Sequence, residues 1–496
     1  MAYLLGYDIG SSSIKATLLE AETGKVVASF TSPEDTELDM AVPEPGWAEQ
    51  DPENWWKHIK AATAGIKNKS GANLHDVKAI GIAYQMHGLV LVDKDLRVLR
   101  PAIIWCDSRA VQIGEKAFQD LGPEKCLKHL LNSPGNFTAS KLKWVKDNQP
   151  EIYRQVYKFM LPGDYIAMKL TGEVKTTASG LSEGILWDYL EQRPAGFLLD
   201  YYGISPGLLP EITPLFSVQG EVTKQAADEL GLAPGTKVSY RAGDQPNNAF
   251  SLSVLSPGEV AATAGTSGVV YGICDQPLYD KESRVNTFVH VNHTTDNPSY
   301  GVLLCVNGTG ILNRWLKNTF AGATYKEMDQ MALEEAPPGS AGLFFYPYGN
   351  GAERTLGNKN LGAALMGLDL NVHGRPHVFR AAQEGIVFAL NYGVEIMKQM
   401  GLEVATVKAG RANMFLSQLF REAFAMVTGA CVELYNTDGS QGAARGAGLG
   451  AGIYRDTKET FVGLTPAGIT EPDMAKAAQY KEIYQEWEAN LKKLLG

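Results

Sequence analysis

The chain has 496 residues, enough for at least two domains that each bury their own core. Hydrophobic residues are 45% and charged residues 20%, a soluble globular mix. Lys plus Arg number 45 against 55 Asp plus Glu, and the formal charge of −10 argues against nucleic acid or an anionic membrane as the main partner, though not against a small phosphate ligand held by backbone N–H groups and Mg²⁺.

The first ten residues carry no basic segment, and no run approaches the ~20 apolar residues of a membrane helix. Tyr3 to Tyr7 and Ile14 to Glu20 read as a β-hairpin turned by Asp8-Ile9-Gly10-Ser11-Ser12-Ser13. Asp51-Pro52-Glu53 starts a helix, with an Asp cap, Pro at the first helical position and an acid in the first turn. Val77 to Ala83 and Val90 to Asp93 read as strands flanking Gln85-Met86-His87-Gly88, and the alternation of strand and helix signals predicts an α/β architecture. The opening pattern then returns. Glu259 to Ala262 and Val269 to Ile273 are strand-like and joined by Thr263-Ala264-Gly265-Thr266-Ser267-Gly268, so two Gly-hydroxyl turns hold equivalent places. This weak repeat predicts two similar domains facing one cleft, with a boundary near 248 to 256, where Ser256-Pro257-Gly258 breaks the chain. At the end of the chain, Tyr480, Ile483, Tyr484, Trp487, Leu491 and Leu494 share one face of a packing helix. Cys106, Cys126, Cys274, Cys305 and Cys431 are scattered and odd in number, as expected of reduced residues in a cytoplasmic protein.

A turn of Gly and hydroxyl residues lets a backbone approach phosphate oxygens and lines up N–H groups toward them. One such turn is ordinarily only a tight hairpin; two in matching positions point to a polyphosphate clamped from both sides. Lys15 is either a cationic contact for that group or a solvated strand residue. Asp8 can hold Mg²⁺ or cap its own turn. Asp244 follows a strand and Gly243 at the start of a helix, where it is either an N-cap or a general base for an attacking hydroxyl. Glycines recur at Asn307-Gly308-Thr309-Gly310, Gly349-Asn350-Gly351 and from Gly439 to Gly452. The last run reads as a helix packed tightly on a neighbour; Ala451 stands where a dinucleotide fingerprint needs Gly. The sequence has neither a G-x-x-x-x-G-K-[ST] loop nor a G-x-S-x-G elbow. His290 and His293 lie in a strand-like run whose alternation sets them on opposite faces, against a shared metal.

Asp8 to Lys15, Gly243-Asp244, Ala264 to Gly268 and Lys408-Ala409-Gly410-Arg411-Ala412-Asn413 fall in the order seen in FGGY carbohydrate kinases, which the chain resembles from about residue 3 to 455. Phe137 to Trp144 resembles one family signature. Ala363 to Leu368, with His377-Val378 and Ala381-Ala382-Gln383-Glu384, resembles another. The resemblance implies an α/β fold of two actin-like (ribonuclease H-like) domains facing an interdomain cleft. Residues 1–250 would bind sugar and carry the first phosphate loop, 251–455 would bind the nucleotide, and 456–496 would form the packing helix. It further implies ATP and Mg²⁺ as cofactors, with Asp244 as catalytic base and Asp8 at the metal. Gly10, Ser11, Ser12, Ser13 and Lys15 would form one phosphate loop and Gly265, Thr266 and Ser267 the other. Gly308, Gly310, Gly410, Arg411 and Asn413 would complete the ATP site.

Within the family, Gln85-Met86-His87-Gly88, Arg100 to Arg109 and Gly46 to Pro52 resemble the sugar-site segments of xylulokinases, whereas glycerol kinases carry Arg-Glu where Met86-His87 stands. That likeness implies a pentulose bound by Gln85, Met86, His87, Trp105, Asp107 and Asp244, with His87 and Asp107 hydrogen-bonding its hydroxyls and Met86 and Trp105 as apolar walls. The other reading of His87 is a satisfied core histidine. A homodimer is expected by analogy alone. Arg241-Ala242 stand where xylulokinases usually have glycines, Gln245 where Asn is common, and Ala409 in place of a Gly; Asn136 and Gln383 fall outside the two signatures. Arg241 and Gln245 are expected to border the pocket, which leaves another ketose, a polyol or a sugar acid open as substrate. A nucleotide-driven regulator of the same superfamily would need a partner-binding domain, and only about forty residues follow the family match.

Overall fold

The opening apolar runs pair as an antiparallel hairpin, β1 (Tyr3–Ile9) with β2 (Ile14–Glu20), Ile9 opposite Ile14. The computed structural model describes residues 1–320 and 322–496. The elements that position the site are, in chain order, β3 (Val26–Ser32), α1 (Pro52–Ser70), β4 (Val77–Tyr84), α2 (Thr138–Asn148), α3 (Ala178–Glu183), β5 (Gly220–Glu221), β6 (Lys237–Gly243) and α4 (Asp244–Ser251). There follow β7 (Gly258–Ala264), β8 (Gly268–Cys274), β9 (Asn286–Val289), β10 (Tyr300–Val306), α5 (Gly310–Thr319), α6 (Arg375–Gln399), β11 (Val404–Gly410), β12 (Cys431–Tyr435), α7 (Gly439–Gly450), β13 (Pro466–Thr470) and α8 (Met474–Leu495).

The chain divides into two units. The first holds Met1–Ser253, Phe288–Asn297 and Thr437–Leu464; the second holds Val254–Thr287, Pro298–Asn436 and Thr465–Gly496. The first is built on a sheet of order β5-β6-β4-β1-β2-β3 and the second on one of order β9-β10-β8-β7-β11-β12-β13. In the first, β1, β4 and β6 run parallel and the β1–β2, β2–β3 and β5–β6 pairs are antiparallel. In the second, β7, β11 and β12 run parallel and the β7–β8, β8–β10 and β12–β13 pairs are antiparallel. Taken as β3-β2-β1-β4-β6-β5 and β10-β8-β7-β11-β12-β13, the two sheets repeat one pattern of directions. The repeat legible in two turns thus extends over six strands.

Local chemistry starts α1 as the sequence predicts: Asp51 accepts the Glu53 N–H at 3.0 Å, and Trp55 and Ile59 are fully buried in the first core. Each such side chain contributes roughly 1.5–3 kcal/mol by leaving water. The glycine-rich α7 covers the first sheet at backbone distance. A methyl group placed on Gly6 would lie 1.9 Å from the Ser440 carbonyl oxygen, and one on Gly81 1.9 Å from that of Ala443. On the helix side, a methyl on Gly450 would lie 1.9 Å from the Ser239 carbonyl oxygen. The hydroxyls of Thr17 and Ser440 pair at 2.7 Å across this contact. In the second unit, Tyr480, Trp487 and Leu491 of α8 are buried as expected, and the Trp487 indole N–H donates to the Phe345 carbonyl at 3.0 Å.

Two expectations are corrected. β9 ends at Val289, and His290 and His293 lie in the turn beyond it, with the His293 N–H donating to the His290 carbonyl, so strand alternation does not govern them. Arg241 does not border an open pocket. It is 1% exposed, pairs with Asp164 at 3.2 Å, and donates to Gln219 at 2.6 Å and to the Lys175 carbonyl at 2.7 Å. Among the described residues, no helix is long and apolar enough to cross a membrane.

Candidate functional site

Register brings the first group of residues together. Ile9 pairs with Tyr84 and Tyr84 with Gly243, so three parallel strands end level. The residues just beyond them are Gly10, Gln85 and Asp244. Carboxyl ends of parallel strands are the usual ligand-binding edge of an open α/β sheet. Burial pushes the Asp8 carboxyl up to about 6; Asp438 adds to the shift and Lys15 opposes it. Burial pushes Asp244 up to about 7, with the Asp8 charge next in importance and the Gln245 amide groups opposing. The Asp8 charge thus acts on Asp244, and each of the two carboxyls keeps partial exposure to solvent. Asp244 is the first residue of α4 rather than its cap, which is Gly243.

Lys15 is a half-buried residue of β2. Its ammonium lies 2.7 Å from Asp438, which also caps α7 through the Gln441 N–H at 3.0 Å. Gly439 lets that helix start approach Asp8, since a methyl there would sit 2.2 Å from Asp8 Oδ2. In the first Gly-hydroxyl turn, the Gly10 N–H donates to the Ser13 carbonyl at 3.0 Å, and Gln50 donates to the Ser11 carbonyl at 2.7 Å. Ser12 at its tip is exposed.

Among the residues expected to bind sugar, Gln85 is 2% exposed and donates to Gln50 at 3.0 Å, so it braces that loop. Met86 is buried against Gly243, where a methyl would lie 2.6 Å from Met86 Cγ. His87 adopts a left-handed φ of 63°, uncommon for a residue with a side chain. The buried Lys141 ammonium holds its carbonyl at 2.9 Å and that of Ile104 also at 2.9 Å. Burial pulls that lysine down to about 7, and the nearby Asp107 counteracts the shift. His87 Nδ1 lies 2.8 Å from the Glu183 carbonyl, an oxygen that only accepts, so Nδ1 carries the proton. In the neutral ring, Nε2 is then the atom suited to accept from a sugar hydroxyl.

The rings beside His87 are Phe137, with centroids 4.8 Å apart, and Phe288, at 5.5 Å. Trp105, expected as a wall, is 46% exposed. Asp107 offers no oxygen to a ligand: fully buried, it accepts from the Ala48 N–H at 2.7 Å and pairs with Arg109 at 2.7 Å. Arg109 in turn lies over Trp47, 3.9 Å from the ring centroid, and pairs with Glu49 at 2.7 Å. Asp107 therefore ties the predicted sugar segments to one another.

The second unit gathers a second group. A cavity of about 380 Å³ is lined by Gly265, Thr266, Gly310 and Asn413 together with Arg314, Tyr325 and Asp329 among others. This is within the size range of small-molecule sites. The Gly310 N–H donates to the Gly265 carbonyl at 2.8 Å, and a methyl on Gly310 would fall 2.3 Å from that oxygen. The start of α5 and the second Gly-hydroxyl turn are therefore in backbone contact. Asn413 holds φ at 53°, a conformation Asn tolerates better than most residues. Gln383 donates to Asp329 at 2.7 Å and accepts from Ser417 at 2.7 Å, ordering one side of the cavity. Ser267, Gly410 and Arg411 do not line it; the Arg411 N–H donates to the Tyr435 carbonyl and its residue is exposed. Gly308 lines a neighbouring apolar cavity instead, and it has no room for a side chain beside the Pro347 carbonyl.

Three residues went unread in the sequence: Asp438, Glu183 and Phe288. Asp438-Gly439-Ser440 carried a usable signal, an acidic cap before a glycine-rich helix. The others have none, because their partners are distant in sequence.

A family model described as the FGGY family of carbohydrate kinases, N-terminal domain, matches residues 3–251, and that of the C-terminal domain matches residues 260–453. The chain belongs to the FGGY family of carbohydrate kinases. This FGGY kinase is similar to a xylulose kinase from Bacillus subtilis (strain 168), 30% identical over 496 residues and covering 98% of this chain and 95% of that one. It is also 30% identical to a xylulose kinase from Escherichia coli (strain K12), with 97% and 96% covered. A crystal structure described as a xylulose (“xyloylose”) kinase from Brucella ovis superposes with a TM-score of 0.89 at 26% identity, covering 99% of each chain. Such full-length agreement makes the two-domain α/β architecture that of the family.

Proposed function

We propose that this FGGY kinase transfers the γ-phosphoryl group of MgATP to a terminal hydroxyl of a pentulose, converting D-xylulose to D-xylulose 5-phosphate, with Asp244 as general base. The observation that carries the reading is the level ending of β1, β4 and β6, which sets Asp8, Met86-His87 and Asp244 at one sheet edge. A carboxyl held near 7 is suited to take a proton from an alcohol at neutral pH, since a base works best when its pKa lies near the operating pH. His87, presented with its proton on Nδ1, would accept from a second sugar hydroxyl and orient the sugar. Met86-His87 and the full-length likeness to proteins named xylulose kinase support the pentulose.

The nucleotide would occupy the cavity of the second unit, its adenosine beside Asn413 and Gly310 and its phosphates at Gly265 and Thr266. Successive N–H groups in such turns favour anions. For the metal, hard carboxylate oxygens at Asp8 and Asp244 fit an ion that takes one or two carboxylates and completes its shell with water and phosphate. Among the described residues, no three side chains form a ready-made cage. Asp8 would hold Mg²⁺, which when bound supplies neutralisation of phosphate charge. Phosphoryl transfer then depends chiefly on positioning and charge complementarity.

A sugar panel in a coupled ADP-release assay tests the reading. D-xylulose is expected to give the highest kcat/KM; a polyol, a sugar acid or another ketose exceeding it tenfold would replace the pentulose while leaving the kinase chemistry in place.

A further inference from the structure

Glu183 closes the short helix α3 and is 1% exposed. Neither of its carboxyl oxygens has a hydrogen-bond partner, and both are shielded from solvent. The buried Tyr84 hydroxyl lies beside it and opposes the effect of burial on its charge, without closing a well-formed hydrogen bond. Burial drives its pKa well above the ordinary carboxylate range, and Asp244 and Asp164 push the same way. A carboxyl so placed carries its proton, because a buried ion without a partner is costly. An apolar side chain of similar size would be tolerated there at least as well.

What the acid touches distinguishes it. A methyl on Gly243 would lie 2.4 Å from Glu183 Oε2 and 2.6 Å from Met86 Cγ, so the residue immediately before Asp244 is held between the two side chains. The main-chain carbonyl of the same Glu183 accepts the Nδ1–H of His87 at 2.8 Å. One residue thus supports the candidate base with its side chain and the candidate sugar ligand with its backbone. Ser182, its neighbour in α3, accepts the Val289 N–H at 3.0 Å, and Ser179 donates to the Val289 carbonyl at 2.9 Å, which fixes the helix end beside Phe288.

We propose that Glu183 is a positioning residue of the transfer site, setting the Asp244 carboxylate through Gly243 and the His87 ring through its own carbonyl. Shielded from solvent, it does not touch substrate. The inference rests on Asp244 being the base and His87 a sugar contact.

Glu183→Leu and Glu183→Gln test it by steady-state kinetics in both substrates together with thermal melting. Leucine fills the space without a polar group; it is expected to keep the melting temperature, lower kcat about tenfold and leave KM for ATP unchanged. Glutamine preserves the shape and a neutral polar end, and is expected to restore kcat to within about threefold of wild type with an unchanged pH profile. If the leucine variant does not fold, the glutamine variant and Glu183→Ala carry the same comparison. Wild-type kcat in the leucine or alanine variant overturns the proposal. So does a glutamine variant as impaired as leucine at an unchanged melting temperature, since that would assign the effect to the acid's proton. Asp244→Asn runs alongside. An active Asp244→Asn removes the base reading whatever Glu183 does, whereas an inactive one beside a wild-type-like Glu183→Leu removes only the positioning role.

Discussion

Asp244→Asn keeps the size of the side chain and deletes its charge, so it is expected to stabilise the protein while abolishing turnover. Burial and Asp8 hold the Asp244 carboxyl at about 7 in the folded chain, against an ordinary value of 3.8. A raised folded pKa means that the native state is most favoured at low pH and loses stability as pH rises from about 4 through about 7. At 1.36 kcal/mol per pKa unit the whole loss is about 4 kcal/mol, of which about 3 kcal/mol develops between pH 5 and pH 8. The carboxylate keeps some solvent contact, so roughly half of that is expected to be measurable. The Asn variant has no such titration. Its advantage in melting temperature over wild type should therefore widen by about 3 °C between pH 5 and pH 8, taking about 2 °C per kcal/mol for a domain of this size. In an ADP-release assay the same variant should lose roughly 10²- to 10⁴-fold in kcat, the usual contribution of a general base. Melts at the two pH values and one turnover measurement decide the matter. A melting advantage that shrinks as pH rises, or turnover near wild type, refutes the reasoning.

Gly81→Ala puts a methyl 1.9 Å from the Ala443 carbonyl, and neither backbone can retreat easily. A loss of at least about 1–3 kcal/mol is expected in chemical denaturation, and an unchanged midpoint would mean that α7 does not pack there as described. Lys141→Met removes both hydrogen bonds that hold the His87 and Ile104 carbonyls. KM for the sugar should rise about tenfold, a change of about 1.4 kcal/mol, while KM for ATP stays put; equal increases in both would contradict a role at His87. Asn413→Gly keeps the left-handed backbone and deletes the amide from the cavity of the second unit. It should raise KM for ATP several-fold and leave the sugar KM unchanged, which initial-rate kinetics can read directly.

The hairpins, the start of α1 and the apolar face of α8 are legible in the sequence because each depends on residues a few positions apart. Asp244 is legible for the same reason: a strand, a glycine and an acid stand in sequence. What sequence does not show is which charges are already committed. Lys15 is balanced by an aspartate 423 positions away, Arg241 by one 77 positions away. Asp107 lies only two residues from Arg109, but its full burial depends on Trp47, Ala48 and Glu49, which a separate loop brings in. The expectation for His290 and His293 failed for a different reason. An apolar run ends sooner than its composition suggests, and the turn that follows obeys hydrogen bonding rather than alternation.

The glycine helix that roofs the first sheet is drawn from residues 439 to 450, far beyond the strands it covers. A polypeptide still emerging from the ribosome at residue 300 has made every strand of that sheet but leaves Gly6 and Gly81 bare. The first unit is consequently finished almost last, and a fragment cut after Ser253 should behave as an unfinished protein rather than as a small independent one.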